Sequence, residues 1–161
     1  MKASVCFVFA VVCWIAAQAE VSPMILTLSK VMNELNNISK EMNKSTTLKS
    51  PTINDLEDCC VKSALGCFRS KVFHLSVPER KLKSLNIISR ELHKSIIVNS
   101  VSSCKPEEIQ KAQCKSCDSY KVVDSQTFVQ NFQTLLQKVS SEISLNFFAF
   151  IFTYIYIYVC V

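Results

Sequence analysis

A single glycine, Gly66, occurs in the 161 residues of this chain. Sheet proteins with many tight turns depend on glycine, because type I′ and II′ turns require positive φ. Its scarcity argues against that architecture and favours an all-helical domain with long loops. Histidine is also scarce, with only His74 and His93. No nucleophile, base and carboxylate stand at a recognisable catalytic spacing, so the chain does not read as an enzyme and no cofactor is expected. Nor is there a large charge excess, since the net charge is +5. The basic residues Arg69, Lys71, Arg80, Lys81, Lys83, Arg90 and Lys94 face only Glu79 and Glu91 over that stretch. No clustered aromatics interleave with them, so nucleic acid is a poor fit as partner. A solvated helix face explains the stretch, and an acidic protein partner steered by that face is the sharper reading.

What is present begins with an export signal. Lys2 supplies a positive n-region, Val5 to Ala16 an apolar core, and Ala17-Gln18-Ala19 a small-x-small site, so cleavage is expected after Ala19. The apolar run is shorter than the ~18 residues that span a bilayer. The remaining chain, from Glu20, suits one domain. Export also changes how cysteine is read: Cys59, Cys60, Cys67, Cys104, Cys114 and Cys117 become a disulfide framework first and metal ligands second.

Four amphipathic segments follow. The first opens at Ser22-Pro23 and carries Ile25, Leu28, Met32, Leu35 and Met42 on one face, widened by Val31 and Ile38. Thr46 to Pro51 reads as a break. The second is expected to start near Thr52 to Asn54, with Asn54 and Glu57 as a capping box and Ile53, Leu56, Cys60, Ala64 and Cys67 on one face. The third has Ser76 and Glu79 as a capping box, Pro78 in its first turn, and a stripe of Leu82, Leu85, Ile88, Leu92 and Ile96. The fourth begins at Asp124 or Ser125 and carries Phe128, Phe132, Leu135, Val139 and Ile143. The connection from Asn99 to Val123 is long, with one short helical turn expected at Pro106-Glu107-Glu108. Short helices are marginal alone, so each stripe needs the others to cover it. Four helices around one core are the natural solution, and the long last connection suggests an overhand crossover.

The cysteine spacing adds a mechanical constraint. Cys60 and Cys67 lie two helical turns apart, so their Cα atoms are roughly 10 Å apart on one face. Cys114 and Cys117 span about 10 Å if extended. An extended strap carrying the second pair can therefore lie along the second helix and pin it twice. Cys60–Cys114 with Cys67–Cys117 is the expected pairing, although length alone equally permits the crossed one. Cys59 sits about 100° around the helix from Cys60, and Cys59–Cys104 is a candidate third bridge. A redox dithiol would need a βαβ context, and zinc a second close pair, neither of which the pattern suggests.

Three segments carry a family resemblance: CVKSALGCF (Cys60 to Phe68), CKSCDSY (Cys114 to Tyr120) and FVQNFQTLLQK (Phe128 to Lys138). In this order they resemble the short-chain four-helix cytokines of the interleukin-2, interleukin-15 and interleukin-21 family, with CDSY and LLQK closest to the interleukin-21 branch. The resemblance implies an all-α, disulfide-stapled, up-up-down-down bundle, secreted and acting as a monomer. Its partners would be an interleukin-21 receptor-like private chain and the common cytokine receptor γ chain, paired to drive JAK–STAT signalling in lymphocytes. Carried over by position, Arg80 matches the basic start of the third helix on the private-receptor side, and Gln137 the polar residue of LLQK on the γ-chain side. Each also has a plain reading, Arg80 as a solvated cation and Gln137 as exposed helix. The match is thin over the first helix, where Met24 to Lys30 lacks the family's arginines and aspartate, and it stops after Lys138.

Two sequons, Asn37-Ile38-Ser39 and Asn43-Lys44-Ser45, are candidate glycosylation sites. Asn37 lies off the apolar stripe, so a glycan is tolerable there on this reading. The cytokine domain is taken as residues 20–142. Beyond it, Asn146 to Val161 is uncharged and dense in Phe, Ile and Tyr, with Cys160 standing apart. Counted from Ile143 the tail reaches the ~18 residues of a membrane span, but no basic stop-transfer residues follow, and a lipid-anchor signal lacks its polar spacer. Contact with a membrane is expected only if that tail is native. Thr153 to Val159 is β-prone, and a non-native C-terminus such as translated intron is the preferred reading. A saposin-like, membrane-active helical protein is the alternative from another functional class. Saposin folds tie the two chain ends together rather than a helix to a late strap.

Overall fold

The computed structural model describes residues 23–56, 58–100 and 104–159. The expected export signal, the expected Ser22 cap, Glu57 and Cys160 lie outside them. The described chain is predominantly helical, with six α-helices and one small ribbon: α1 over 23–39, β1 Thr47–Lys49, α2 Val61–Lys71, α3 Leu82–Leu92, α4 Ser95–Ser100, α5 Pro106–Lys111, β2 Val122–Asp124 and α6 Ser125–Val159.

Apolar residues at three- and four-residue steps put one face of each long helix into a common core. From α1 come Met24, Leu28, Val31, Leu35 and Ile38; from α2, Val61, Ala64, Leu65 and Phe68; from α3, Leu85, Ile88 and Leu92; from α6, Phe128, Val129, Phe132, Leu135, Leu136 and Val139. Phe68 stacks on Phe132 with ring centroids 4.6 Å apart and meets Phe128 edge-on at 5.2 Å. These rings join α2 to α6. Each fully buried large side chain contributes about 1.5–3 kcal/mol relative to exposure.

Several details differ from the spacing argument. The α1 face is centred on Met24, Leu28, Val31, Leu35 and Ile38, while Ile25 and Met32 are only partly buried. Asn54 is not a cap. Instead Thr52 and Asp55 form the box, the Asp55 carboxylate accepting from the Thr52 amide at 3.0 Å, and the segment makes only a 3₁₀ turn over Ile53–Asp55. A second turn covers Asp58–Cys60, so α2 proper starts at Val61 and Ile53 is exposed rather than on the apolar face. Ser76 does not cap α3 either. Its carbonyl accepts from the Asn43 amide at 2.9 Å, and Pro78 leads into a 3₁₀ turn at Glu79–Lys81 before α3 begins at Leu82. Leu82 is accordingly exposed, and Ile97 rather than Ile96 is fully buried.

The stretch read as a break, Thr46 to Pro51, contains β1, which pairs antiparallel with β2: Thr47 opposite Asp124, Leu48 opposite Val123, and Lys49 opposite Val122. Three-residue strands carry too little alternation to be legible in sequence. The ribbon ties the long connection before α2 to the long connection before α6. Buried Ser125 anchors the junction, donating its amide to the Thr46 carbonyl and its hydroxyl to the Asn43 carbonyl. α6 starts at Ser125 with Asp124 accepting from the Thr127 amide at 2.9 Å, and that bonding with the Thr127 hydroxyl holds the Asp124 carboxyl below its usual range. α6 crosses position 143 without interruption and continues to Val159, so the β-prone tail is helical, its backbone following the helix that precedes it. Among the described residues, no helix is long and apolar enough to cross a membrane.

Candidate functional site

The strap and its clamp form the most constrained region. α5 starts at Pro106, whose missing N–H costs nothing in a first turn, and its box pairs the Lys105 amide with Glu108 at 2.7 Å. The chain leaves α5 through Gln113, at φ 46°, a conformation usually given to glycine, which turns the backbone into the strap. Cys114 is joined to Cys60, with Cα atoms 5.3 Å apart, and Cys117 to Cys67, with Cα atoms 5.1 Å apart. The strap thus runs along α2 in the direction of the helix, the uncrossed of the two arrangements that length allows. Cys59 points elsewhere and is joined to Cys104, at a Cα separation of 5.4 Å. Three disulfides on one small helical body fit an oxidising, extracellular setting. Glu108 approaches the Cys59 and Cys104 sulfurs, but those two atoms are bonded to each other and are not a thiolate pair for a metal.

Ion pairs and hydrogen bonds finish the clamp. Lys115 reaches Asp55 at 2.6 Å. Burial pushes the Asp55 carboxyl up, yet hydrogen bonds from Lys115 and Thr52 outweigh it and hold the group below its ordinary range. The same bond raises Lys115. Asp118 faces Lys49 at 3.7 Å and Lys71 at 3.8 Å, linking the strap to β1 and α2. Tyr120, the last residue of CKSCDSY, is buried, and burial raises its phenol above the usual range.

Four cations of the basic stretch read from the sequence fall into two clusters, Arg90 and Lys94 around Glu91, and Arg80 and Lys81 around Glu41. Glu91 is 2% exposed and is paired with Lys94, with Lys30 of α1 at 3.0 Å, and with Arg90 at 3.6 Å. The hydrogen bond from Lys94 leads in holding the Glu91 carboxyl below its ordinary range, against burial, with Lys30 adding to it. This buried carboxylate was invisible in sequence. The only available signal was its place beside Leu92, since Ile88, Glu91 and Leu92 share a helix face at three- and four-residue spacing.

Arg80 stands in the turn before α3, and its Nε donates to Glu41 at 2.7 Å. Lys81 pairs with the same carboxylate at 3.2 Å, and the two cations hold Glu41 below its usual range. Arg80 nevertheless keeps 74% of its side chain exposed. Gln137 is exposed on α6, far along the chain from Arg80, beside Lys138, which donates to the Leu56 carbonyl at 2.5 Å. The structure therefore links Arg80 to the turn that follows α1. Asn37 and Asn43 also differ in setting. Asn37 donates to Ser84 at 3.1 Å and accepts from Lys81 at 2.5 Å across the α1–α3 seam, so it does not simply project from a polar face. Asn43 lies in the exposed turn after α1.

No protein-family model, curated protein or solved structure matches this chain.

Proposed function

We propose that this chain is a secreted helical signalling protein that acts by binding, bringing together two receptor chains in the manner of the short-chain four-helix cytokines. The observation that carries the reading is the β1–β2 ribbon, which pairs the two long connections that precede α2 and α6. Two long crossovers are what an up-up-down-down bundle requires, and an up-down-up-down bundle with short loops has none to pair. The double clamp of the strap on α2 supports the same reading, as does the connection of all three bridges to the chain around α2 and the segment from Cys104 to Cys117. A saposin-like protein would instead be bridged near its chain ends.

On this reading the private receptor chain meets α1 and α3 near Arg80, and the shared γ chain meets α6 near Gln137. The cations around Glu41 and Glu91 favour acidic receptor surfaces through electrostatic steering.

The test is STAT phosphorylation in cells that carry the candidate receptor pair, treated with the secreted protein. Because Arg80 also holds Glu41, two variants are needed. Arg80→Ala removes both the cation and the internal pair, whereas Glu41→Gln weakens the pair and keeps the cation. Arg80→Ala should weaken receptor binding at least tenfold while Glu41→Gln changes it little. Equal effects of the two would assign Arg80 to structure alone, and a silent parent protein would remove the cytokine reading itself.

A further inference from the structure

The two sequons stand in different settings in this fold. We infer that Asn43 is the N-glycan acceptor of this protein and that Asn37 is not. The inference rests on the export proposed above, because the transferase works in the export compartment.

Transfer forms a bond between the Asn side-chain nitrogen and the anomeric carbon of a lipid-pyrophosphate-linked oligosaccharide. The carbon–oxygen bond to the pyrophosphate breaks, the pyrophosphate leaves with the electron pair, and one amide proton passes to the transferase's base. The amide must be reachable, and the hydroxyl two residues on must lie beside it.

Asn43 meets both demands as it stands. Its side-chain oxygen accepts the Ser45 hydroxyl at 2.7 Å and the Ser45 amide at 3.0 Å. Asn43, Lys44 and Ser45 are all exposed, and none lies in a helix or strand. The internal hydrogen bonds of Asn43 to other elements run through its backbone, to the Ser76 carbonyl and from the Ser125 hydroxyl. They hold the turn in place while the Asn43 residue stays exposed.

Asn37 is exposed too, but its amide is already engaged and the hydroxyl two residues on does not lie beside it. Its sequon lies within α1, and its middle residue, Ile38, is fully buried in the core. The Ser39 hydroxyl donates to the Asn36 carbonyl at 2.9 Å and not to Asn37. The Asn37 side-chain nitrogen itself donates to Ser84, a residue only 6% exposed on α3. Presenting this tripeptide to a transferase requires unwinding the last turn of α1. A sugar added before folding would stand between α1 and α3 when they pack.

The experiment expresses the full chain in animal cells and treats the secreted protein with an N-glycosidase in oxygen-18 water, which leaves a labelled aspartate wherever a glycan stood. Peptide mapping should place the label at position 43 in most molecules and at position 37 in almost none. Asn43→Gln and Ser45→Ala should each collapse the protein to its unglycosylated mobility, while Ser45→Thr and Asn37→Gln keep the glycosylated one. Secreted protein without label at 43, or with substantial label at 37, overturns the inference. If the native chain stays in the cell, the export reading has failed by itself. An unrelated export leader fused at Glu20 then still delivers both sequons to the transferase, and the same map decides between them.

Discussion

Removing the Cys67–Cys117 bridge with Cys67→Ala and Cys117→Ala measures how the strap works. By sequence separation alone, a 50-residue loop would make this bridge worth about 4 kcal/mol in the chain-entropy account. The fold makes that figure too large. With Cys60–Cys114 in place, the second bridge closes only the seven positions from Cys60 to Cys67 and the three from Cys114 to Cys117. The same relation for about ten residues gives about 3 kcal/mol. Alanine is the better replacement because Cys67 is 3% exposed, and a serine hydroxyl there would add its own desolvation cost. The assay is urea unfolding followed by far-ultraviolet circular dichroism, comparing midpoints at equal slope. Opening all three bridges together should cost about 10 kcal/mol by the same reasoning, within the 5–15 kcal/mol range of a whole domain. The fully reduced chain should therefore be close to unfolded. A loss below about 1 kcal/mol for the single bridge would show that non-covalent contacts already hold the strap. A loss of about 4 kcal/mol or more would show that the two rings are not nested as described.

Gly66 sits in the interior of α2 at negative φ, and a Cβ built there meets no atom within 4 Å. Gly66→Ala should stabilise the protein by about 0.5–1 kcal/mol, read as a raised melting temperature, and a destabilised variant would contradict the open space beside that position. Glu91→Gln should lower stability at neutral pH, because it leaves Lys30, Arg90 and Lys94 around an uncharged amide. The folded-state carboxyl lies below its ordinary 4.5, so its stabilisation is present above about that pH and is lost as the pH falls through the folded value. The difference in melting temperature between parent and variant should therefore shrink in acid, and a difference that stays constant down to pH 2 would refute the assignment.

Periodic burial was legible because it is a local property. Phe128, Phe132, Leu135 and Val139 could be placed on one buried face from their spacing, since a helix repeats every 3.6 residues wherever it packs. The same holds for the α5 start at Pro106, where proline excludes a helix interior but suits a first turn. Helix starts were less legible. Thr52 and Asn54 both have cap chemistry, and only the geometry of the Asp55 carboxylate decides that the box there closes a 3₁₀ turn while α2 waits until Val61.

The helical class, the identity of most core residues and the reach of the strap were all readable before folding, because they follow from spacing along one chain. Tertiary structure alone decided the direction of the strap on α2, the β1–β2 pairing, the burial of Glu91 between α1 and α3, and the different settings of Asn37 and Asn43. Each of these depends on which elements face one another across the core, and residues far apart in sequence carry no local periodicity that records it.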